Sequence, residues 1–257
     1  MSPIPENFKK LHQGEEFLRT KTYEAIEADE DLSRHVAVTE RIMDFLNVLS
    51  AKPPSKEDED TKAVRLLGMR LFNGCAAALQ LIVTGYYQNA AMIMRDLLET
   101  VFLLGFLGLD RTKISEWRTA DDATRKKVFA PIKIRTALDE NDGLTGKKRA
   151  EAYNILSELA SHPTYKGFRM LAPKGSEHHC GPFFDFSVLK PLIEQLASLA
   201  VQAGANINPL IEDETKEIAM ASVDCIEVSG EWFERYFEVP FDRKKIKEMK
   251  ALLNQRE

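Results

Sequence analysis

The stretch Gly85-Tyr86-Tyr87-Gln88-Asn89-Ala90-Ala91-Met92-Ile93-Met94-Arg95-Asp96-Leu97-Leu98-Glu99-Thr100-Val101-Phe102-Leu103-Leu104-Gly105-Phe106-Leu107-Gly108-Leu109 decides the fold. Gly85 and the polar residues after it read as a turn and cap, and no proline interrupts the run from there to Leu109. Apolar side chains cover most of the circumference. That is the pattern of a helix buried in a large core or crossing a membrane. Arg95, Asp96 and Glu99 break it. A buried charge costs on the order of several kcal/mol unless it is paired or neutralised. Arg95 and Glu99 are spaced i,i+4, so they lie on one face and can meet. The stretch predicts a central helix, 88–109, that carries a polar island.

Immediately before it, Thr61 to Thr84 reads as a second long helix. The run from Leu71 to Met94 holds no charge and is long enough to cross a bilayer. Asn73, Gln80, Thr84, Gln88 and Asn89 interrupt that run, and Gly85-Tyr86-Tyr87 reads as a turn near its middle. Two buried helices in an antiparallel pair explain it better than a membrane span, and no membrane contact is expected. Arg70, Asn73, Ala77, Gln80 and Thr84 follow a 3,4 spacing along one stripe. That stripe is either a solvated face or the face turned toward Arg95 and Glu99.

Further out, Glu6 to Ala28 reads as a peripheral helix. A second helix capped near Asp31-Leu32-Ser33 runs to Ala51, where Pro53-Pro54 stops it. Residues 52–60 form a polar, acidic segment expected to be a mobile linker. On the other side, Asp110 ends the central helix, Trp117 anchors a short helix, and Asp121-Asp122 starts another that Pro131 kinks or restarts. Lys147 to Ser161 is amphipathic and ends at His162, before Pro163. Thr164 to Asp185 breaks helical pattern and is expected to be irregular or a small β-hairpin. Helix resumes from Ser187 to Gly204, from Asn208-Pro209 to Phe237, and from Asp242 to Gln255. The expected class is all-α: one helical domain over 1–257 around the 61–84/88–109 pair. Leu67, Leu71, Leu79, Ile82, Leu98, Phe102, Leu156 and Ile226 are expected in its core.

Hydrophobic residues make up 44% and charged residues 29% of the chain, the balance of a soluble globular protein. A net charge of -5 argues against a protein that coats DNA. Cys75, Cys180 and Cys225 are odd in number and far apart, which suits a reducing compartment, so a cytoplasmic location is expected.

Three constellations carry possible chemistry. Arg95 with Glu99 and Asp96 is either an ion pair tying helices together or a clamp for a phosphate or carboxylate. Ser157-Glu158-Leu159-Ala160-Ser161-His162-Pro163-Thr164-Tyr165 places a histidine at a helix end, under a loop that carries Tyr165. His162 is the candidate general acid or base, with Glu158 four residues earlier to orient it. His178-His179-Cys180 are adjacent, whereas zinc ligands are usually spaced by two to four residues, and Glu-x-x-His pairs for a di-iron bundle are missing. No metal and no cofactor is expected. Phosphate-cradling loops, Gly-x-Ser-x-Gly and Cys-x-x-Cys are also missing. The basic runs Arg125 to Arg135, Lys147 to Arg149 and Arg243 to Lys250 are interleaved with acids and read as solvated faces.

The helix Ala90-Ala91-Met92-Ile93-Met94-Arg95-Asp96-Leu97-Leu98-Glu99, with the later helix end Leu156-Ser157-Glu158-Leu159-Ala160-Ser161-His162, resembles a group of bacterial helical proteins. They pair an Arg-x-x-x-Glu helix with a Ser…His helix end, over about Arg65 to Phe186 here. That group is similar to the HEPN superfamily, whose helical bundles include metal-independent ribonucleases. The resemblance implies an Arg and a His cutting RNA across a dimer cleft. The closely spaced Arg and His of the nuclease signature are not matched by Arg149 and His162, Arg169 and His178, or Arg34 and His35. Three functions therefore stand as expectations. One is a bundle binding a partner or small anionic ligand at the Arg95/Glu99/His162 end, with Arg95, Glu99 and Tyr165 as the ligand-binding residues. The second is a ribonuclease or phosphodiesterase-like enzyme using His162 and Arg95. The third is a structural module that forms homo-oligomers.

Overall fold

Gly85 sets the geometry of the central hairpin. Helix α3 (Glu59–Val83) ends just before it and helix α4 (Tyr87–Leu109) begins just after. Its φ of +85° lies in the left-handed region that favours glycine. A Cβ there would also stand 2.3 Å from the Phe183 carbonyl oxygen, so side chains are excluded twice over. The long uncharged run is thus two helices folded back on each other. By length and composition alone α3 could cross a membrane, and its buried face packs on α4 and on helices α2 (Glu30–Ala51) and α9 (Phe186–Ile207).

The computed structural model describes residues 4–51, 58–145, 148–161, 163–173, 177–211 and 215–255. Among them the chain forms only helices and connections. Helices α2, α3, α4 and α9 make the central bundle. Leu71, Met94, Leu104, Leu189 and Ile207 are fully buried in it. Burying a side chain of this size is worth about 1.5–3 kcal/mol. Helix α1 (Glu6–Glu27) lies outside, against α2 and α3, and α10 (Lys216–Phe237) packs on α2 and α9. Helix α11 (Arg243–Asn254) packs on α10. On the far side of α4 lie the short helices α5 (Thr112–Thr119), α6 (Asp122–Lys127), α7 (Pro131–Asn141) and α8 (Lys148–Leu156).

The structure corrects some local expectations and decides between others. The cap of α2 is Asp29, whose Oδ1 accepts from the Asp31 and Leu32 amides at 3.0 Å each. The cap of α9 is Asp185, which accepts from the Ser187 amide at 2.8 Å. Asn208-Pro209 opens only a 3₁₀ turn, Asn208–Leu210, and the long helix after it starts at Lys216 under the cap Thr215. Pro131 restarts the chain as the first residue of α7, where its missing N–H costs nothing. Of the two readings of 164–185, the irregular one holds: Gly167–Leu171 is a 3₁₀ turn and the described residues there form no strand. Residues 52–57 of the expected linker lie outside the described residues. Asp58 caps α3, and Glu59 and Asp60 already belong to its first turn. Of the expected core, Ile226 is 39% exposed and Leu79 only half-buried; the other six are buried.

Candidate functional site

Helices α4, α7 and α8 meet where the polar island sits, so the island lies at a helix junction rather than inside the core. The side chains of Arg95 and Glu99 are 24% and 31% exposed. They pair at 3.0 Å, as their spacing predicts. Arg95 Nε also donates to Ser157 Oγ at 2.9 Å, and Nη2 donates to the Tyr153 hydroxyl. Tyr153 and Ser157 are themselves i,i+4, so a single face of α8 and its continuation meets the guanidinium. Beyond Leu156 that continuation is a π-helical turn, Ser157–Ser161. Such wide turns often mark functional sites. Arg95 is therefore engaged with its own chain through Nε and Nη2, as the fastener that holds α8 to α4.

Asp96 points the other way, to Arg70 of α3 at 2.5 Å, across the hairpin. Of the polar stripe on α3, Arg70 reaches the Asp96/Glu99 side of α4, while Asn73, Ala77 and Gln80 are exposed and Thr84 is buried.

Between these helices lies a cavity of about 360 Å³. Its polar lining includes Arg70, Asp96, Glu99, Thr100 and Arg135, and its apolar wall includes Leu67, Phe102, Trp117, Phe129 and Tyr153. Arg135, on α7, is the unexpected member. The basic run that contains it reads as a solvated face in the sequence, yet Arg135 is only 9% exposed. Its guanidinium stacks on the Tyr153 ring at 4.0 Å, and its Nε and Nη1 have no hydrogen-bond acceptor among the described residues. Among the described residues no carboxylate lies within ion-pair distance of it. The Arg95 guanidinium is 4.7 Å from the same ring. The two Arg–carboxylate pairs, Arg70–Asp96 and Arg95–Glu99, balance their own charges. Arg135 leaves the cavity with one uncompensated positive charge.

No known family, curated protein or solved structure matches the chain. The site must therefore be read from its own geometry.

The other sequence candidates among the described residues lie elsewhere. Tyr165 is 89% exposed, with its ring edge-on to Phe168, and it does not line the cavity. His162 lies outside the described residues. Glu158 pairs with Lys166 at 2.7 Å. Cys180 is exposed, and the described residues contain no group of three His, Cys, Asp or Glu placed to hold a metal. Cys75 and Cys225 are buried free thiols, each with its pKa pushed up to about 12 by burial.

Reading the sequence alone misses Arg135, Tyr153 and Trp117 as site residues. One signal is present in it. Tyr153 and Ser157 share a helix face four residues apart, the same spacing that singles out Arg95 and Glu99. Nothing local distinguishes Arg135 from Lys133, which is exposed two residues earlier.

Proposed function

We propose that this protein binds a small amphipathic anion, a carboxylate or phosphate with an apolar portion, in the cavity between α4, α7 and α8. The observation that carries this reading is Arg135. A guanidinium taken out of water with N–H groups unanswered costs several kcal/mol, roughly, unless an anion answers it. Here the charge lines a cavity large enough for a ligand, beside an aromatic and aliphatic wall. A fixed cation in a mostly apolar hollow is the usual make-up of a small-molecule site. Arginine's planar fork suits a carboxylate or phosphate. Arg95 acts one step back: it fixes Tyr153, and Tyr153 supports Arg135.

The test is thermal unfolding of the wild type and of Arg135→Leu with benzoate, phenyl phosphate, octanoate and inorganic phosphate. A ligand at about a hundredfold its Kd stabilises by about 2.7 kcal/mol. At least one organic anion should raise the wild-type melting temperature and leave Arg135→Leu unmoved. A flat wild-type response to all four would remove the reading.

A HEPN-type ribonuclease is the second reading. It is favoured by the 2.9 Å contact between Arg95 and Ser157, the two motif halves that carry the resemblance. It requires RNA cleavage that disappears in His162→Ala while the circular dichroism spectrum stays unchanged. Intact RNA after incubation with wild type would sink it.

A further inference from the structure

The Arg135 cavity has a neighbour. A second hollow of about 600 Å³ adjoins it, and Leu67, Trp117 and Phe129 line both. The polar groups of the second hollow include Lys62, Arg118 and Arg125. Two of those cations are already answered: Arg118 pairs with Asp60 at 3.0 Å and Lys62 with Glu59 at 3.6 Å. Arg125 donates its Nε to the Ala120 carbonyl at 3.2 Å, and among the described residues no carboxylate lies within ion-pair distance of it. Each hollow thus contains one cation without a carboxylate partner, and the wall they share is apolar and aromatic.

Chain geometry links the two cations. Arg125 lies on α6 and Arg135 on α7, and the connection carries Phe129, a residue of the shared wall. Phe129 is buried and packs edge-on against Phe106 at 6.0 Å. A short connection anchored there sets the two arginines in adjoining hollows that share one apolar lining. A ligand with a single charge would satisfy Arg135 and leave the other hollow unused.

From this pairing we infer that the ligand is an elongated dianion: one anionic group at Arg135, an apolar or aromatic spacer along Leu67, Trp117 and Phe129, and a second anionic group at Arg125. The inference rests on the proposed anion site and adds the shape and charge of the molecule that fills it. Arg135, being buried, sets whether anything binds. Arg125, being more open to solvent, adds the preference for a second charge. Trp117, only half-buried, gives the spacer a flat surface.

The experiment is titration calorimetry on the full chain with two matched series below their micellar range. One series is adipate, suberate, sebacate and dodecanedioate. The other is hexanoate, octanoate, decanoate and dodecanoate. One chain length of diacid should bind about tenfold more tightly than its monoacid, the range expected for one added charged hydrogen bond. Arg125→Ala should erase that advantage and leave the monoacid affinity unchanged. Arg135→Leu should abolish both. Equal affinity of diacids and monoacids, or a diacid advantage that survives Arg125→Ala, overturns the inference and leaves the Arg135 site standing. No heat with either series, together with a thermal response to benzoate or phenyl phosphate, also overturns it. No response to any of these anions overturns the anion site itself.

Discussion

Two polar clusters sit at opposite sides of the bundle, and they are built on opposite terms. At the α2/α10 contact, Trp232 Nε1 donates to His35 Nδ1 at 3.0 Å, and His35 stacks on Tyr236 with 4.5 Å between centroids. The Tyr236 hydroxyl donates to Asp31 at 3.0 Å, and Arg235 donates to the same carboxylate at 3.2 Å. Cation, aromatic ring and carboxylate are all present, and these donors meet acceptors. At the α4/α7/α8 junction the same ingredients leave Arg135 Nε and Nη1 without an acceptor among the described residues, beside a cavity. A polar cluster that closes on itself fixes helix packing, whereas one left open carries the cost of its unpaired groups.

That contrast can be broken first at its structural end. Trp232→Ala should lower unfolding free energy by about 3–5 kcal/mol in urea titration, because it removes a buried ring and orphans the His35 acceptor. Binding at the Arg135 cavity should be untouched. The opposite sign is expected at the open cluster. Without ligand, Arg135→Leu should be neutral or stabilising by about 1–4 kcal/mol, since an unpaired charge gives way to an apolar side chain. A loss of that size would mean that Arg135 is structural and would erase the distinction between the two clusters.

The third effect depends on pH. Burial holds the His35 pKa below its usual range, against the opposing pull of Glu194 and Asp31. The fold therefore favours the neutral ring. The stabilisation is complete above the unfolded value of about 6.5 and is lost as pH falls from there through the lower folded value. Midpoints should fall in that window for wild type and fall less in His35→Gln, which keeps an acceptor for Trp232 without a titrating group. An equal fall in both proteins would remove His35 as the cause. The smallest effect belongs to Arg70→Ala. The Arg70–Asp96 pair has side chains 56% and 45% exposed, so its loss should change stability by less than about 1 kcal/mol.

Much of the frame is legible from spacing alone. The apolar circumference around 88–109 and the glycine at 85 fix α3 and α4 to within two residues of their observed ends, because helix formation there depends on local chemistry. Arg95 and Glu99 meet for the same reason. Arg135 is not legible. Its burial depends on where α7 lands against α8 and on the ring of Tyr153, 18 positions later in the chain. Ile226 fails in the reverse direction: its exposure is set by which faces of α10 meet α2, α9 and α11, which the sequence pattern of one helix does not contain. The open cluster is tertiary in origin, while the fastener behind it, Arg95 with Glu99, is local.

The turn at Gly85 has a consequence for the order in which the chain assembles. Helices α3 and α4 are neighbours in sequence, and hairpins of neighbouring helices form early because little chain must be closed into a loop. The tip of this hairpin is finished by distant residues: Phe183 donates its amide to the Gly85 carbonyl at 3.3 Å, and the Asp185 amide reaches the Tyr87 hydroxyl at 3.2 Å. Asp185 is also the cap of α9. One short segment therefore latches the hairpin tip and starts the fourth helix of the central bundle, so the expected order is an α3–α4 pair with its tip open that locks when α9 docks.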